Sequence, residues 1–125
     1  MELRLFTQNL VLISGRLTKD PDFKVTPGGQ NILSMRLASN RRYQDKASGE
    51  WKDDTTYIAV DVWGEAAARL KDRLKKGSPV YVEGRLKSRE YDDKTSGQKR
   101  TVIDIVARSV QVLEKMGAPA SAGKT

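Results

Sequence analysis

The stretch Thr55–Tyr91, TTYIAVDVWGEAAARLKDRLKKGSPVYVEGRLKSREY, decides the fold. It opens with a period of two. Ile58, Val60 and Val62 fall on one face and Tyr57, Ala59, Asp61 and Trp63 on the other, as in a strand with one side buried. Over Gly64–Lys76 the period lengthens: Ala67, Leu70 and Leu74 recur at helical spacing, Lys75 and Lys76 sit where a helix dipole favours cations, and Gly77 is a natural stop. From Pro79 to Tyr91 the period is two again. Val80, Val82, Gly84, Leu86 and Ser88 share one face; Tyr81, Glu83, Arg85, Lys87, Arg89 and Tyr91 share the other.

Working outward, the upstream sequence predicts a first strand over Asn9–Leu17, closed by the turn residues Thr18-Lys-Asp-Pro21. Pro27-Gly-Gly29 suits the tip of a hairpin, and Asn31–Ser39 reads as a second strand with Leu33, Met35 and Leu37 inward. Asn40–Asp54 is polar and aperiodic, which predicts a long loop of the kind that carries function. Downstream, Asp92–Gly97 is a turn and Lys99–Leu113 a fifth strand. Three strands, one helix and two strands is the order of the OB-fold, an all-β, five-stranded Greek-key barrel. The helix lies between the third and fourth strands, and the last two form a hairpin of unusual length. No internal repeat is apparent. Residues 1–114 read as one domain and 115–125 as a flexible tail.

The chain has 125 residues, with 23 Lys+Arg against 16 Asp+Glu, no His and no Cys. Imidazole general bases, Ser-His-Asp and Cys-His catalysis, disulfides and thiolate metal sites are therefore excluded. The paired acids Asp53-Asp54 and Asp92-Asp93 read as solvated turn residues, so no catalytic residue, metal or cofactor is expected. The longest apolar run, Leu10–Ile13, is far short of a membrane span. With no signal-peptide pattern at the start, a soluble cytoplasmic protein is expected. The net charge is +7, and +5 remains when the tail with Lys115 and Lys124 is set aside, which makes nucleic acid a candidate partner.

The placement of that charge is informative. Arg85, Lys87 and Arg89 recur every second residue on the face of the fourth strand that also holds Tyr91, a spacing of ~6.5–7 Å. Such a row is either a solvated face that resists aggregation or a track for phosphates. Tyr57 and Trp63 face away from the core, where an aromatic packs under the helix, marks a subunit interface or stacks bases. Arg41, Arg42 and Tyr43 lie together in the predicted loop and suit a grip on backbone and base. Trp51 either shares that grip or closes the loop as a clasp. Basic residues interleaved with exposed aromatics on strands point to single-stranded nucleic acid, since duplex readers more often use a basic helix.

These residues resemble the bacterial homotetrameric single-stranded DNA-binding protein family over about residues 8–114. The similarity lies in Asn9…Gly15-Arg-Leu17…Asp20-Pro21, Asp45-Lys-Ala-Ser-Gly-Glu50, Val62-Trp-Gly64 and Leu74-Lys-Lys-Gly-Ser-Pro-Val-Tyr-Val-Glu-Gly-Arg-Leu86. The resemblance implies sequence-independent wrapping of single-stranded DNA in replication, recombination and repair, near the nucleoid. It implies base stacking on Tyr43, Tyr57, Trp63 and Tyr91, with Arg41, Arg42, Arg85, Lys87 and Arg89 on phosphates. It also implies a homotetramer in which first strands pair between subunits. The chain ends at Gly123-Lys-Thr125 without the family's acidic tip, so recruitment of replication and repair proteins through the tail is not expected. A primosome-type or RNA-binding OB-fold module is the alternative on the same residues.

Overall fold

Segments with one apolar face become the staves of a barrel. The computed structural model describes residues 6–113. Its elements are β1 (Val11–Leu17), β2 (Asp22–Val25), β3 (Asn31–Gln44), β4 (Trp51–Trp63), α1 (Glu65–Leu70), β5 (Pro79–Asp92) and β6 (Lys99–Val112). The sheet order is β1-β5-β6-β4-β3-β2, and β1 also pairs with β3, which closes five strands into a barrel. All pairings are antiparallel except β4 with β6, where Val60 lies beside Ile105. The inward residues Leu33, Leu37, Val60, Val80, Val82 and Ile105 are completely buried. Each such side chain contributes ~1.5–3 kcal/mol. Ala67 and Leu70 of α1, with Leu74 beyond it, belong to the same core. This is the OB-fold barrel, with the four-residue β2 as an extra edge strand.

The Pro27-Gly-Gly29 turn does join two strands, β2 and β3, with Thr26 N–H donating to Gln30 O (2.8 Å). Three other expectations need correction. The residues 40–54 are not a loop. β3 and β4 stay paired in unbroken register from Ile32↔Trp63 out to Gln44↔Trp51, so these residues form an arm that leaves the barrel. Neither face of the arm covers a core, so neither side selects apolar residues and no period is visible. The arm is held by its ladder, by the Arg41–Asp54 ion pair (3.7 Å) and by the Thr55–Asn40 side-chain hydrogen bond (2.5 Å). The helix is also shorter than Gly64–Lys76. After Leu70 the chain tightens into turns: Lys75 N–H donates to Ser78 Oγ (3.0 Å) and Lys76 N–H to Asp20 Oδ1 (2.8 Å). Side chains outside the helix thus take the donors that a longer helix would use. Finally, the first strand begins at Val11. Asn9 instead grips β5 with its amide, donating to Leu86 O (2.9 Å) and accepting from Leu86 N–H (2.8 Å).

A repeat does exist, in the two arm tips. Asp45-Lys-Ala-Ser-Gly-Glu50 ends the β3–β4 arm and Asp93-Lys-Thr-Ser-Gly-Gln98 ends the β5–β6 arm. Asp45 N–H donates to Glu50 O and Asp93 N–H to Gln98 O, both at 2.8 Å; Gly49 and Gly97 N–H each close back on the aspartate carbonyl at 2.7 Å. Each aspartate carboxylate accepts from the N–H two residues on. It also meets a cation seven residues on: Lys52 (2.9 Å) or Arg100 (3.3 Å). Gly49 and Gly97 hold φ of 75° and 72°, a conformation costly for any residue with a Cβ. Because β4 and β6 run parallel, both arms leave the same end of the barrel.

Candidate nucleic-acid interface

Strand register decides which side chains share a surface, because alternate residues face opposite sides. On β4 the core takes Ile58, Val60 and Val62, so Trp51, Tyr57, Ala59, Asp61 and Trp63 face outward. Opposite them on β3, the register brings Arg36 beside Ala59, Ala38 beside Tyr57 and Arg42 beside Asp53. On the other side of β4, Val106 of β6 lies beside Asp61, and Asp104 faces Lys87 across the β5–β6 ladder. One outward surface therefore runs over β3, β4, β6 and β5. It carries Arg42, Tyr57, Trp63, Arg85, Lys87, Arg89 and Tyr91.

The aromatics on this surface are open. Tyr57 is 57% exposed, Trp63 42% and Tyr91 46%, so packing beneath α1 does not account for them. The Arg36 guanidinium stands 5.8 Å from the centre of the Tyr57 ring. Trp63 borders a shallow hollow with Gly29, Gln30, Asn31, Gly64 and Glu65. Arg36 was not among the expected residues. It is the one charged residue within the alternation Leu33-Ser-Met-Arg-Leu37, and its outward parity was the available signal.

Arg41, Arg42 and Tyr43 do not form a single grip. Arg42 lies on the Tyr57 surface. Arg41 and Tyr43 lie on the opposite face of the arm, with the guanidinium 5.1 Å from the half-buried Tyr43 ring and Lys52 across the ladder.

Ion pairing also divides the expected phosphate ligands. Arg89 Nε donates to Asp104 Oδ2 at 2.7 Å, and the Asp104 side chain is only 8% exposed. Its Oδ1 is buried without a hydrogen-bond partner. The hydrogen bond to Asp104, then the fields of Asp104 and Asp61, push the Arg89 pKa above its ordinary value. Asp61 itself accepts from Ser34 Oγ (3.0 Å). At the end of the row, Glu83 pairs with Arg108 (3.3 Å). Among the described residues no carboxylate lies within ion-pair distance of Arg36, Arg42, Arg85 or Lys87. Nor, among those residues, does any group of three or more acidic side chains gather as a metal site would require.

A family model described as "Single-strand binding protein family" matches residues 8–113. The chain belongs to that family. It is 42% identical over 99 residues to the single-stranded DNA-binding protein of Paenarthrobacter aurescens, covering 78% of this chain and 57% of that one. It is 41% identical over 108 residues to single-stranded DNA-binding protein 2 of Chlorobaculum tepidum, covering 86% and 72%. Among solved structures, a deletion mutant of the Thermus aquaticus single-stranded DNA-binding protein superposes with a TM-score of 0.76 at 34% identity, over 88% of this chain and 52% of that one. The Plasmodium falciparum SSB in complex with ssDNA superposes with a TM-score of 0.79 at 26% identity, over 90% and 100%. The chain thus spans little more than half the length of some of its family relatives. The tail expected at 115–125 lies outside the described residues, and no described helix is long and apolar enough to cross a membrane.

Proposed function

We propose that the protein binds single-stranded DNA without sequence preference and performs no chemistry on it. The observation that carries this reading is the single outward surface on which exposed Tyr57, Trp63 and Tyr91 lie among Arg36, Arg42, Arg85 and Lys87, which have no acidic partner among the described residues. Bases stack on the rings, which accept any base, and phosphates exchange counterions for guanidinium and ammonium groups. Tyr57 and Trp63 are the principal platforms, with Tyr91 on one arm and Tyr43 on the far face of the other. Arg42, Arg85 and Lys87 meet phosphates, with Arg36 added to them, while Arg41 and Arg89 contribute less because each already holds a carboxylate. The complex of the Plasmodium neighbour with ssDNA supports the same use of this barrel.

The working form in this reading is a homotetramer that protects single strands during replication, recombination and repair in the cytoplasm. Its support is the outer half of β1. Among the described residues, 11–15 pair only with β5, which leaves one edge of this stretch without a partner strand there, and Leu10 and Leu12 are more than half exposed beside it. An unpaired apolar edge is a template for pairing with a second copy.

The test is titration with oligo-dT, oligo-U and duplex DNA, monitored by tryptophan fluorescence, with light scattering to give the subunit number. Oligo-dT is expected to bind tightest, on a tetramer. Losing two stacking platforms, at ~1–3 kcal/mol each, should make the Tyr57→Ala/Trp63→Ala variant at least about 30-fold weaker. Duplex affinity equal to that for oligo-dT refutes the reading, as does a double variant that binds like wild type. Tighter binding of oligo-U assigns the surface to RNA.

A further inference from the structure

We infer that Trp51 and Arg42 form an additional base-stacking subsite near the tip of the β3–β4 arm, so that a bound strand runs along β4 from Trp63 past Tyr57 to Trp51. The inference rests on the single-stranded DNA reading above and adds a ligand position to it. Trp51, Tyr57 and Trp63 are spaced six residues apart on a strand whose register is unbroken. All three rings therefore lie on one face, successive pairs being ~20 Å apart at ~3.3 Å per residue.

Trp51 is 58% exposed, more than either of the other two. Its exposed ring is backed by the Arg42 guanidinium at 5.5 Å. Arg42 faces Asp53 across the ladder yet makes no ion pair with it, leaning on the indole instead. A guanidinium against an indole is a flat, positively charged surface, suited to a base on the ring and a phosphate beside it.

The twin arm tips exclude the clasp reading of Trp51. In the Asp93–Gln98 tip the residue at the matching position is Lys99, yet the turn closes with the same hydrogen bonds. The Asp45–Glu50 turn therefore does not need an indole to hold its shape. An exposed tryptophan without a structural task, on the same face as the other platforms, is explained by what it binds.

The chain has two tryptophans, so Trp63→Phe leaves Trp51 as the sole reporter and keeps it intact. Oligo-dT longer than the ~16 nucleotides at the upper end of an OB-fold's site size is expected to quench its emission at saturation. Separately, Trp51→Ala and Trp51→Leu are expected to bind that oligonucleotide about 5- to 150-fold more weakly, whereas Trp51→Phe stays close to wild type. A clasp would be rescued by leucine; a stacking platform is rescued only by another ring. An unquenched Trp51 in a saturated complex overturns the subsite while leaving the function intact, and so does wild-type affinity in Trp51→Leu. A wild-type protein that fails to bind oligo-dT overturns both.

Discussion

If the outward surface binds DNA as proposed, salt dependence separates the cations that meet phosphates from those already held by a carboxylate. Among the described residues no carboxylate lies in ion-pair range of Arg36, Arg42, Arg85 or Lys87 on the aromatic face, whereas Arg89 is bonded to Asp104 at 2.7 Å. Each phosphate neutralised on a single strand contributes about 0.7 to the slope of log K against log salt. Four such contacts give a slope near −2.8 per protomer, so raising salt from about 50 to about 200 mM should weaken binding about 50-fold. Replacing Arg85 with Gln removes one contact. The slope should fall to about −2.1 and the loss over the same interval to about 20-fold. Arg89→Gln should leave the slope near the wild-type value, because Arg89 exchanges one carboxylate for a phosphate and displaces little of the condensed counterion layer. Its cost should appear in the melting temperature instead, since Asp104 is left buried and unpaired. Tryptophan quenching titrations with oligo-dT across a sodium chloride series supply the slopes, and thermal melts supply the second readout. A wild-type slope in Arg85→Gln, or a slope in Arg89→Gln as shallow as that of Arg85→Gln, refutes the division of the cations.

Two further outcomes follow from the arms and the barrel. Both tip aspartates titrate below the ordinary value of 3.8, Asp45 chiefly through its bond with Lys52 and Asp93 chiefly through the Thr95 N–H. A lowered folded-state pKa stabilises the tips fully above that value and is lost as pH falls through the lowered one, so the tips should loosen only in acid. Lys52→Met should accordingly raise the Asp45 pKa further than Arg100→Met raises that of Asp93; equal rises in a carboxyl NMR titration would count against this ordering of causes. In the barrel, a Cβ on Gly84 would collide with Val106 O and the Ile105 side chain, opposite the bulge that leaves Arg108 without a register partner on β5. Gly84→Ala should therefore cost ~1–3 kcal/mol in urea unfolding, and an unchanged midpoint would show that the bulge absorbs the methyl group.

The barrel was legible because each of its strands has one wet and one dry face, and a slip of one residue would bury Arg36 or expose Leu37. The arm was illegible for the same reason in reverse. From Asn40 to Asp54 both faces are solvated, so composition reports only polarity, and polarity without a period reads as loop. The helix was over-read because Leu74 fits the helical spacing and is buried, but a tight turn after Leu70 delivers it to the core as well. The repeated tips escaped notice because the motif is only six residues long and its first copy fell inside the supposed loop. The site shows the same division. Tyr57 and Trp63 follow from the parity of a single strand. The neutralisation of Arg89 depends on Asp104, fifteen residues away on the next strand, and only the register between strands brings the two together.

That register also places acids at the centre of the outward face of a chain with a +7 charge. A uniformly positive sheet would repel itself and would hold a strand in any lateral position. Asp61 and Asp104 instead occupy the middle of the surface, between the cations of β3 on one side and those of β5 on the other. In the proposed binding mode phosphates lie over the flanking strands, where Arg36, Arg42, Arg85 and Lys87 have no acidic partner among the described residues, and not over β4, where Asp61 lies. In that mode, bases turned inward from those flanks would meet the rings of Tyr57 and Trp63. The Asp104 carboxylate, costly to bury with one oxygen unpartnered, fixes Arg89 at the border of the aromatic surface through their 2.7 Å hydrogen bond.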